Sequence, residues 1–478
     1  MLIGILRPTV AADTGVLPVG QPEYDFHYEL GVRVQATDPR KLDYQIGPYR
    51  IDQFRMAGKP FTGLRYLQGS KITVFGFAAE DFRSVKDARA EAYESLRGGF
   101  AAVPYQNTFV YASFTLDEAL AKDPDYNGKV WRGLAGDVDQ AFVVYQKSKF
   151  TLLAGRFAGF WGPQKSLIFG KHQKLDGLAY TMRFGRIVVS YRLAQLNGFN
   201  PDVVDTVGLF QNRYIAAHRV DVHLRDNLCI GGFEAVLFGG AGRTIDAFYL
   251  NPLLFLHGTQ LNKGTNDNTV IGFDFSWQPW RNYSLYGQVL IDDLQIDSET
   301  AADKEPAEYG VIGGIYAANV LPHIDLKAEY TRVTNWTFNQ MLPRNRYLND
   351  GKPIGDVRGN DYDLAQLWVY YWFWPRHLRC NLSASYYRQG EGRITADWTS
   401  PWSDAEGDYD EPFPTGIVEK TMTFSAGVRG FVGEHGFVDI EAGLDRVTNR
   451  FHIEGEDKTL PFVKLTMSAF IFSPLDVR

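Results

Sequence analysis

Cysteine is almost absent from this chain: Cys229 and Cys380 are the only two in 478 residues. Two cannot build a disulfide framework, and neither lies in a CxxC or Cys/His cluster of the kind that binds zinc. Long apolar runs are missing too. The longest, residues 367–374, is far short of the ~18 residues of a spanning helix, which excludes a helical membrane protein. There is no basic excess, with 49 Lys and Arg against 56 Asp and Glu and a formal net charge of −7. Nucleic acid, which normally requires a basic stripe, is therefore excluded as a main partner. Residues 1–7 lack the charged start and apolar stretch of a signal peptide, so an export signal is expected to be absent from this chain. No HExxH, GxSxG or P-loop pattern occurs, and neither enzymatic chemistry nor a cofactor is expected. His218 and His223, an odd number of positions apart on a strand, point to opposite faces and cannot share a metal ion.

What the sequence has is aromatic surface, in 33 Phe, 26 Tyr and 10 Trp, far more than a disordered chain carries. It also has period-two alternation, repeated many times and never replaced by a sustained helical period. Along 324–331 one face reads Ile324, Leu326, Ala328, Tyr330 and the other Asp325, Lys327, Glu329, Thr331. Segments 269–278, 283–292, 378–387, 422–429 and 437–445 repeat the pattern. A soluble sandwich would pack the apolar face, whereas a membrane barrel turns it to lipid and the charged face to the lumen. The connections favour the barrel. Short ones at 278–282, 320–323, 375–377 and 433–436 alternate with long polar ones at 293–308, 335–361, 389–417 and 448–461, as periplasmic turns alternate with extracellular loops.

Hairpins at 141–156, 178–196, 214–238, 269–291, 309–333, 362–388 and 421–446, a closing strand at 462–472 and strands at 61–67, 72–77 and 107–114 make about 18. The fold class is all-β, a single transmembrane antiparallel β-barrel over 61–472. Residues 1–60 form a periplasmic N-terminal segment, with a short helix near 24–30. A helical insertion is expected near 80–106, and 473–478 form a C-terminal tail. Aromatic clusters such as Tyr370 to Trp374, and Trp277 with Trp280, fit an interfacial girdle.

Two sets of candidate residues follow. The loop 389–417 carries Trp398 and Trp402 beside the carboxylates Asp404, Glu406, Asp408, Asp410 and Glu411. The rings suit stacking on sugar faces, and Trp398, Trp402, Asp404, Asp408 and Asp410 are candidate polysaccharide-binding residues. The same rings also suit plain packing, and the carboxylates a solvated loop. The inward faces carry Asp325, Lys327, Glu329, Arg379, Arg429, Asp439 and Glu441, candidate lumen-lining residues that either pair with one another and fill the lumen or line a hydrated pathway.

The stretches Gly155-Arg-Phe-Ala-Gly-Phe-Trp-Gly-Pro163, Arg213-Tyr-Ile-Ala-Ala-His-Arg219, Tyr249-Leu-Asn-Pro-Leu-Leu-Phe255, Asn268-Thr-Val-Ile-Gly-Phe-Asp274 and Leu285-Tyr-Gly-Gln-Val-Leu-Ile-Asp-Asp293 resemble the capsule-assembly Wzi family of outer-membrane proteins, over about 152–296. The resemblance implies an 18-stranded outer-membrane barrel with periplasmic helical elements, acting at the cell surface to retain or organise capsular polysaccharide. Expected partners are outer-membrane lipid and lipopolysaccharide, surface polysaccharide and envelope proteins. A diffusion porin for small polar or anionic solutes is the alternative function.

Overall fold

The computed structural model describes residues 22–37, 72–85, 91–124, 126, 128–199, 211–294, 304–373, 378–404, 409–433 and 435–475. The period-two segments form long strands: β1 (Ile72–Val85), β2 (Glu91–Tyr105), β3 (Thr108–Asp117), β4 (Leu134–Lys147), β5 (Phe150–Ala158) and β6 (Lys174–Phe184). They continue with β7 (Ile187–Phe199), β8 (Gln211–Arg225), β9 (Leu228–Ala241), β10 (Asn268–Trp277), β11 (Tyr283–Asp293) and β12 (Glu308–Leu321). The last are β13 (Ile324–Val333), β14 (Tyr362–Phe373), β15 (Leu378–Gln389), β16 (Glu419–Val432), β17 (Gly436–Thr448) and β18 (Lys458–Leu475). Each pairs antiparallel with the next, and β1 closes on β18 from Ile72↔Leu475 to Val85↔Phe462. The result is a closed 18-stranded barrel without a free edge. Short turns gather at one rim, where Asn107, Ser148 and Asn282 take the positive φ that tight reversals require. The long loops gather at the other rim. In an outer-membrane barrel the first rim faces the periplasm and the second the outside.

The helical insertion expected near 80–106 is corrected: its described residues up to Val85 and from Glu91 to Tyr105 belong to β1 and β2, paired from Ile72↔Ala102 to Arg83↔Glu91, while 86–90 lie outside the described residues. Residues such as Ala92, Glu94 and Leu96 favour a helix locally, but β3 and β18 would each keep an open edge without these two strands, and closure overrides propensity. The closing strand runs past the expected end at Phe472 to Leu475. The strand expected at 61–67 lies outside the described residues. Cys229 on β9 and Cys380 on β15 remain thiols.

Alternation sorts the side chains of each strand. On β13, Leu326 and Tyr330 are exposed on the outer wall while Asp325, Glu329 and Thr331 are buried inside. Leu367, Leu382, Phe424, Ile440 and Leu444 extend the same exposed apolar surface around the barrel, far more than a soluble monomer leaves in water. Ala328 is paired between Ile315 and Leu367 on this surface. Ala328→Arg is therefore expected to cost roughly 2–4 kcal/mol in refolding into liposomes. Lys327→Ala, which removes an inward cation 3.2 Å from Glu329, is expected to cost less. The reverse order would invert the assignment of faces.

The lumen of the periplasmic half holds a helix, α1 (Pro22–Thr37). Pro22 opens it, at a position where a missing N–H is tolerated. Phe26 packs edge-on against Phe431 of β16 at 5.7 Å and also meets Trp372 and Phe437. Arg33 donates to Asp325 at 2.8 Å and to Asn319 at 2.6 Å. Glu29 pairs with Arg379 and Arg429. The helix is thus held by a ring of apolar and charged contacts on several strands.

Candidate functional site

The outer half of the lumen is filled by two inward-folded loops. Residues 159–173 follow β5 and turn in at once, with Trp161 edge-on to Phe169 at 5.1 Å. The Arg192 guanidinium lies 4.7 Å from the Phe157 ring and 4.8 Å from that of Phe169. Residues 334–361 enter from the opposite side. Arg213 holds them by donating to the carbonyls of Arg344, Arg346 and Leu348 at 2.7, 2.7 and 2.9 Å, and Phe338 stacks on Tyr347. The two loops meet where Tyr347 donates to the Ile168 carbonyl at 2.9 Å and Gly170 N–H to that of Ile354 at 2.7 Å. Glycine is needed here, because a Cβ on Gly355 would strike the Leu167 carbonyl oxygen. Below them Tyr28 of α1 packs edge-on against Phe160, and Lys171 reaches Asp25 at 3.1 Å. Helix and loops form one continuous filling.

Beside this filling, at the outer rim, lies an open polar cleft of about 780 Å³. That volume falls within the ~300–1,000 Å³ of small-ligand sites. One wall is the loop after β3, begun by a single helical turn (Glu118–Ala121) whose N-cap Asp117 accepts from Leu120 N–H. Tyr126 fixes it by donating to the Gly136 carbonyl at 2.9 Å. The opposite wall is the tip of the 334–361 loop. Gln173 donates there to the carbonyls of Asn349, Lys352 and Pro353, and Asn349 accepts from Asn197 N–H at 2.9 Å. The cations of the cleft are already engaged. Arg156 makes a fork onto Asp176 at 3.1 and 2.7 Å and reaches Asp137 at 3.4 Å, Lys352 pairs with Asp123, and Lys174 with Asp139. Asp350 is exposed at the mouth. Desolvation raises its carboxyl above the usual range, Arg156 opposes this and Asp137 adds to it. Both oxygens of Asp176 accept from Arg156, while the second oxygens of Asp137 and Asp350 are acceptors suited to receive hydrogen bonds from hydroxyl groups.

The residues proposed from sequence fall into two places. Trp398 and Trp402 are brought together, at 5.6 Å, but Trp336 of the neighbouring loop completes the group at 5.0 and 5.1 Å. Trp402 is only 3% exposed, with Tyr409 also beside it. Of the two readings left open for these rings, stacking and packing, the burial of Trp402 fits packing, and Trp398 keeps part of its surface. Asp404 and Asp410 are exposed, and Asp408 lies outside the described residues, as does Glu406. Glu411 is not a solvated carboxylate. It accepts from Trp336 Nε1 at 3.0 Å and Asn335 Nδ2 at 3.1 Å, and burial raises its pKa.

The inward charges pair. Asp325 meets Arg33, Lys327 meets Glu329, and Arg379 meets Glu29. Arg429 lies 2.5 Å from Asp439, and Glu441 accepts from Ser425 at 2.7 Å with Lys464 at 3.6 Å. His218 contacts Glu234 at 3.2 Å. Among the described residues no group of three or more His, Cys, Asp or Glu is arranged to hold a metal ion. The cleft residues Asp137, Asp176 and Asp350 were not foreseen; Arg156 alone lies in a stretch whose sequence stood out.

By sequence, no curated protein matches the chain. By structure it is similar to the Escherichia coli outer-membrane protein Wzi, involved in group 1 capsule assembly and described as a carbohydrate-binding β-barrel. That likeness has a TM-score of 0.62 at 15% identity, covering 97% of this chain and 100% of that one. OccD3 (OpdP) of Pseudomonas aeruginosa follows at 9% identity, 87% and 95% coverage and a TM-score of 0.48. OprD of the same organism stands at 10%, 85% and 95%, and 0.47. The family model for the capsule assembly protein Wzi matches residues 195–460, more than half of the chain, from the end of β7 into β18. This outer-membrane barrel therefore belongs to the capsule assembly protein Wzi family.

Proposed function

We propose that this barrel binds surface polysaccharide at its outer rim and carries no solute through its lumen. The observation behind this reading is the continuous filling of the lumen by α1 and the loops 159–173 and 334–361, beside a polar cleft left open to the outside. The Escherichia coli protein described as a carbohydrate-binding barrel shares the fold over 97% of this chain, which supports the same ligand class here. The pairing of Arg156, Lys174 and Lys352 within the cleft narrows it. With its cations engaged and carboxylate oxygens left over, the cleft suits a hydroxyl-rich, uncharged stretch of glycan better than a polyanion. No chemical transformation is assigned to it.

Purified protein in planar bilayers is expected to show no single-channel steps, and stable open channels would favour the porin reading. Asp137→Ala with Asp350→Ala is expected to weaken binding of polysaccharide shed by the expressing cells. The loss should be about tenfold or more, because a hydrogen bond to a charged group contributes about 1.5–3 kcal/mol. Binding should change little between low and physiological salt, since screening acts mainly on exposed unpaired charges. Unchanged affinity in the double variant would place the ligand elsewhere on the rim.

A further inference from the structure

The long loop between β9 and β10 does not rise from the rim. It folds down along the outside of the wall. Outward-facing Tyr191 and Leu193 of β7, Tyr214 and Ala216 of β8, and Val236 and Phe238 of β9 are buried against Tyr249 and Leu256 of this loop. Their strand neighbours Arg192, Ile215 and Leu237 point inward and are buried in the lumen. Tyr191 donates to the Tyr249 carbonyl at 2.9 Å, and the Phe238 and Tyr249 rings are 4.7 Å apart.

The level of these contacts on the wall decides what surrounds the loop. A tilted strand climbs about 2.5 Å per residue along the barrel axis. Tyr191, early in β7, then stands about 10 Å above the periplasmic rim and Phe238, late in β9, about 25 Å above it, within the ~25 Å apolar band of such barrels. The loop therefore covers wall that would otherwise touch hydrocarbon. Its far side bears Leu250, Leu253, Phe255 and Leu261, which are 45, 88, 59 and 64% exposed. Lower on the same strands of the wall, Val220 and Leu224 of β8 and Ile230 of β9 are exposed and apolar too.

The charged groups of the segment nearest the wall are satisfied internally, as low-dielectric surroundings demand, while Asn262, Lys263 and Asn266 are exposed just before the chain re-enters the wall. Arg243 is paired with both Asp246 and Asp267, and Tyr249 donates to Asp267 at 2.7 Å. A short helix, α2 (Leu256–Lys263), closes with Gly264 in the left-handed region. Its first N–H groups, at Leu256 and His257, donate to Glu234 on the outer face of β9 at 2.8 and 2.6 Å. That carboxylate also meets His218, so the charge buried beneath the loop is bonded on both sides. Lys263 is exposed close to where the chain re-enters the wall at Asn268, at headgroup level.

We propose that residues 242–267 are embedded in the outer leaflet, with Leu250, Leu253, Phe255 and Leu261 against lipid acyl chains. The segment broadens one side of the barrel within the membrane and fixes which side meets lipid through a loop rather than through strands.

A nitroxide at Leu253→Cys, in a Cys229→Ala, Cys380→Ala background refolded into phosphatidylcholine/phosphatidylglycerol vesicles, tests this. It is expected to be broadened by dissolved oxygen and to lose the broadening by a water-soluble nickel chelate that a label at Asp410→Cys retains. Equal nickel broadening at both sites would overturn the proposal. Strong spin–spin coupling between labels at 253 would overturn it too, by showing that a second copy of the chain covers the face. The unmodified protein gives an independent reading. Carbene-generating lipid photoprobes in the same vesicles should leave adducts on residues 245–261, and adducts confined to the strands would refute lipid contact there.

Discussion

Asp325→Ala is expected to release α1 from the lumen while leaving the barrel closed. The Asp325 side chain is fully buried, and four donors converge on it. Oδ2 accepts from Arg33 at 2.8 Å, from the Tyr316 hydroxyl at 2.5 Å and from Trp372 Nε1 at 2.7 Å, while Oδ1 accepts from Asn319 N–H at 2.7 Å. Without the carboxylate the Arg33 charge is left largely buried beside unpaired donors. Breaking a buried pair from one side typically costs 3–5 kcal/mol, roughly. The strand ladders do not depend on this residue, so the loss falls on the docking of the helix. Limited proteolysis in detergent should then cut within Pro22–Thr37 in the variant and not in the parent, with the barrel still running as a folded species on unheated gels. Asp325→Asn, which keeps an acceptor but not the charge, should fall between. Conductance should stay absent, because the loops 159–173 and 334–361 fill the outer half independently. Protection of α1 equal to the parent would mean that Phe26 and Glu29 suffice to hold it.

The strands were legible because a barrel wall writes its two surroundings onto alternate residues. Leu326 against Asp325, or Ile440 against Asp439, carries the assignment in the sequence itself. The failure at 80–106 has the opposite cause. There alanines and glutamates such as Glu91, Ala92 and Glu94 set a helical local preference, and only the demand of β3 and β18 for partners makes the described residues strand. The filling of the lumen was less legible. α1 shows no continuous apolar stripe, since its neighbours differ around its circumference: aromatic at Phe26, cationic at Glu29, anionic at Arg33. Sequence identified the inward charges but not their partners on this helix. In the same way Trp398 and Trp402 read equally well as a binding platform or a core, until Trp336 from another loop was seen to take up their faces. The cleft was hidden for a related reason. Asp137, Arg156, Asp176 and Asp350 come from separate strands and a loop, and no local spacing joins them.

Arg219→Ala is expected to be among the most destabilising single changes in the wall. Its guanidinium is fully buried on the inner face of β8, between Asp221 on the same strand and Asp274 on β10. Nη1 and Nη2 each donate to Asp274 at 2.7 Å and Nε to Asp221 at 3.0 Å. Gln288 of β11 donates to Asp274 at 3.0 Å and to the Trp161 carbonyl at 3.1 Å, and accepts from Leu167 N–H at 2.7 Å. The ion group thereby anchors the 159–173 loop. Alanine would leave two carboxylates facing each other in the filled lumen with their common cation gone. The expected cost is at least the roughly 3–5 kcal/mol of a broken buried pair, read as a lower midpoint of urea unfolding in detergent. The charge-free combination Arg219→Met, Asp221→Leu, Asp274→Leu is expected to recover most of that loss, because a buried ion group and well-packed apolar residues of similar volume are often close in stability. The combination removes an acceptor of Gln288, however, so the 159–173 loop should become the first segment to exchange its amide protons. If Arg219→Ala left the midpoint unchanged, water would have to reach the carboxylates, and the lumen at this level would be hydrated rather than filled.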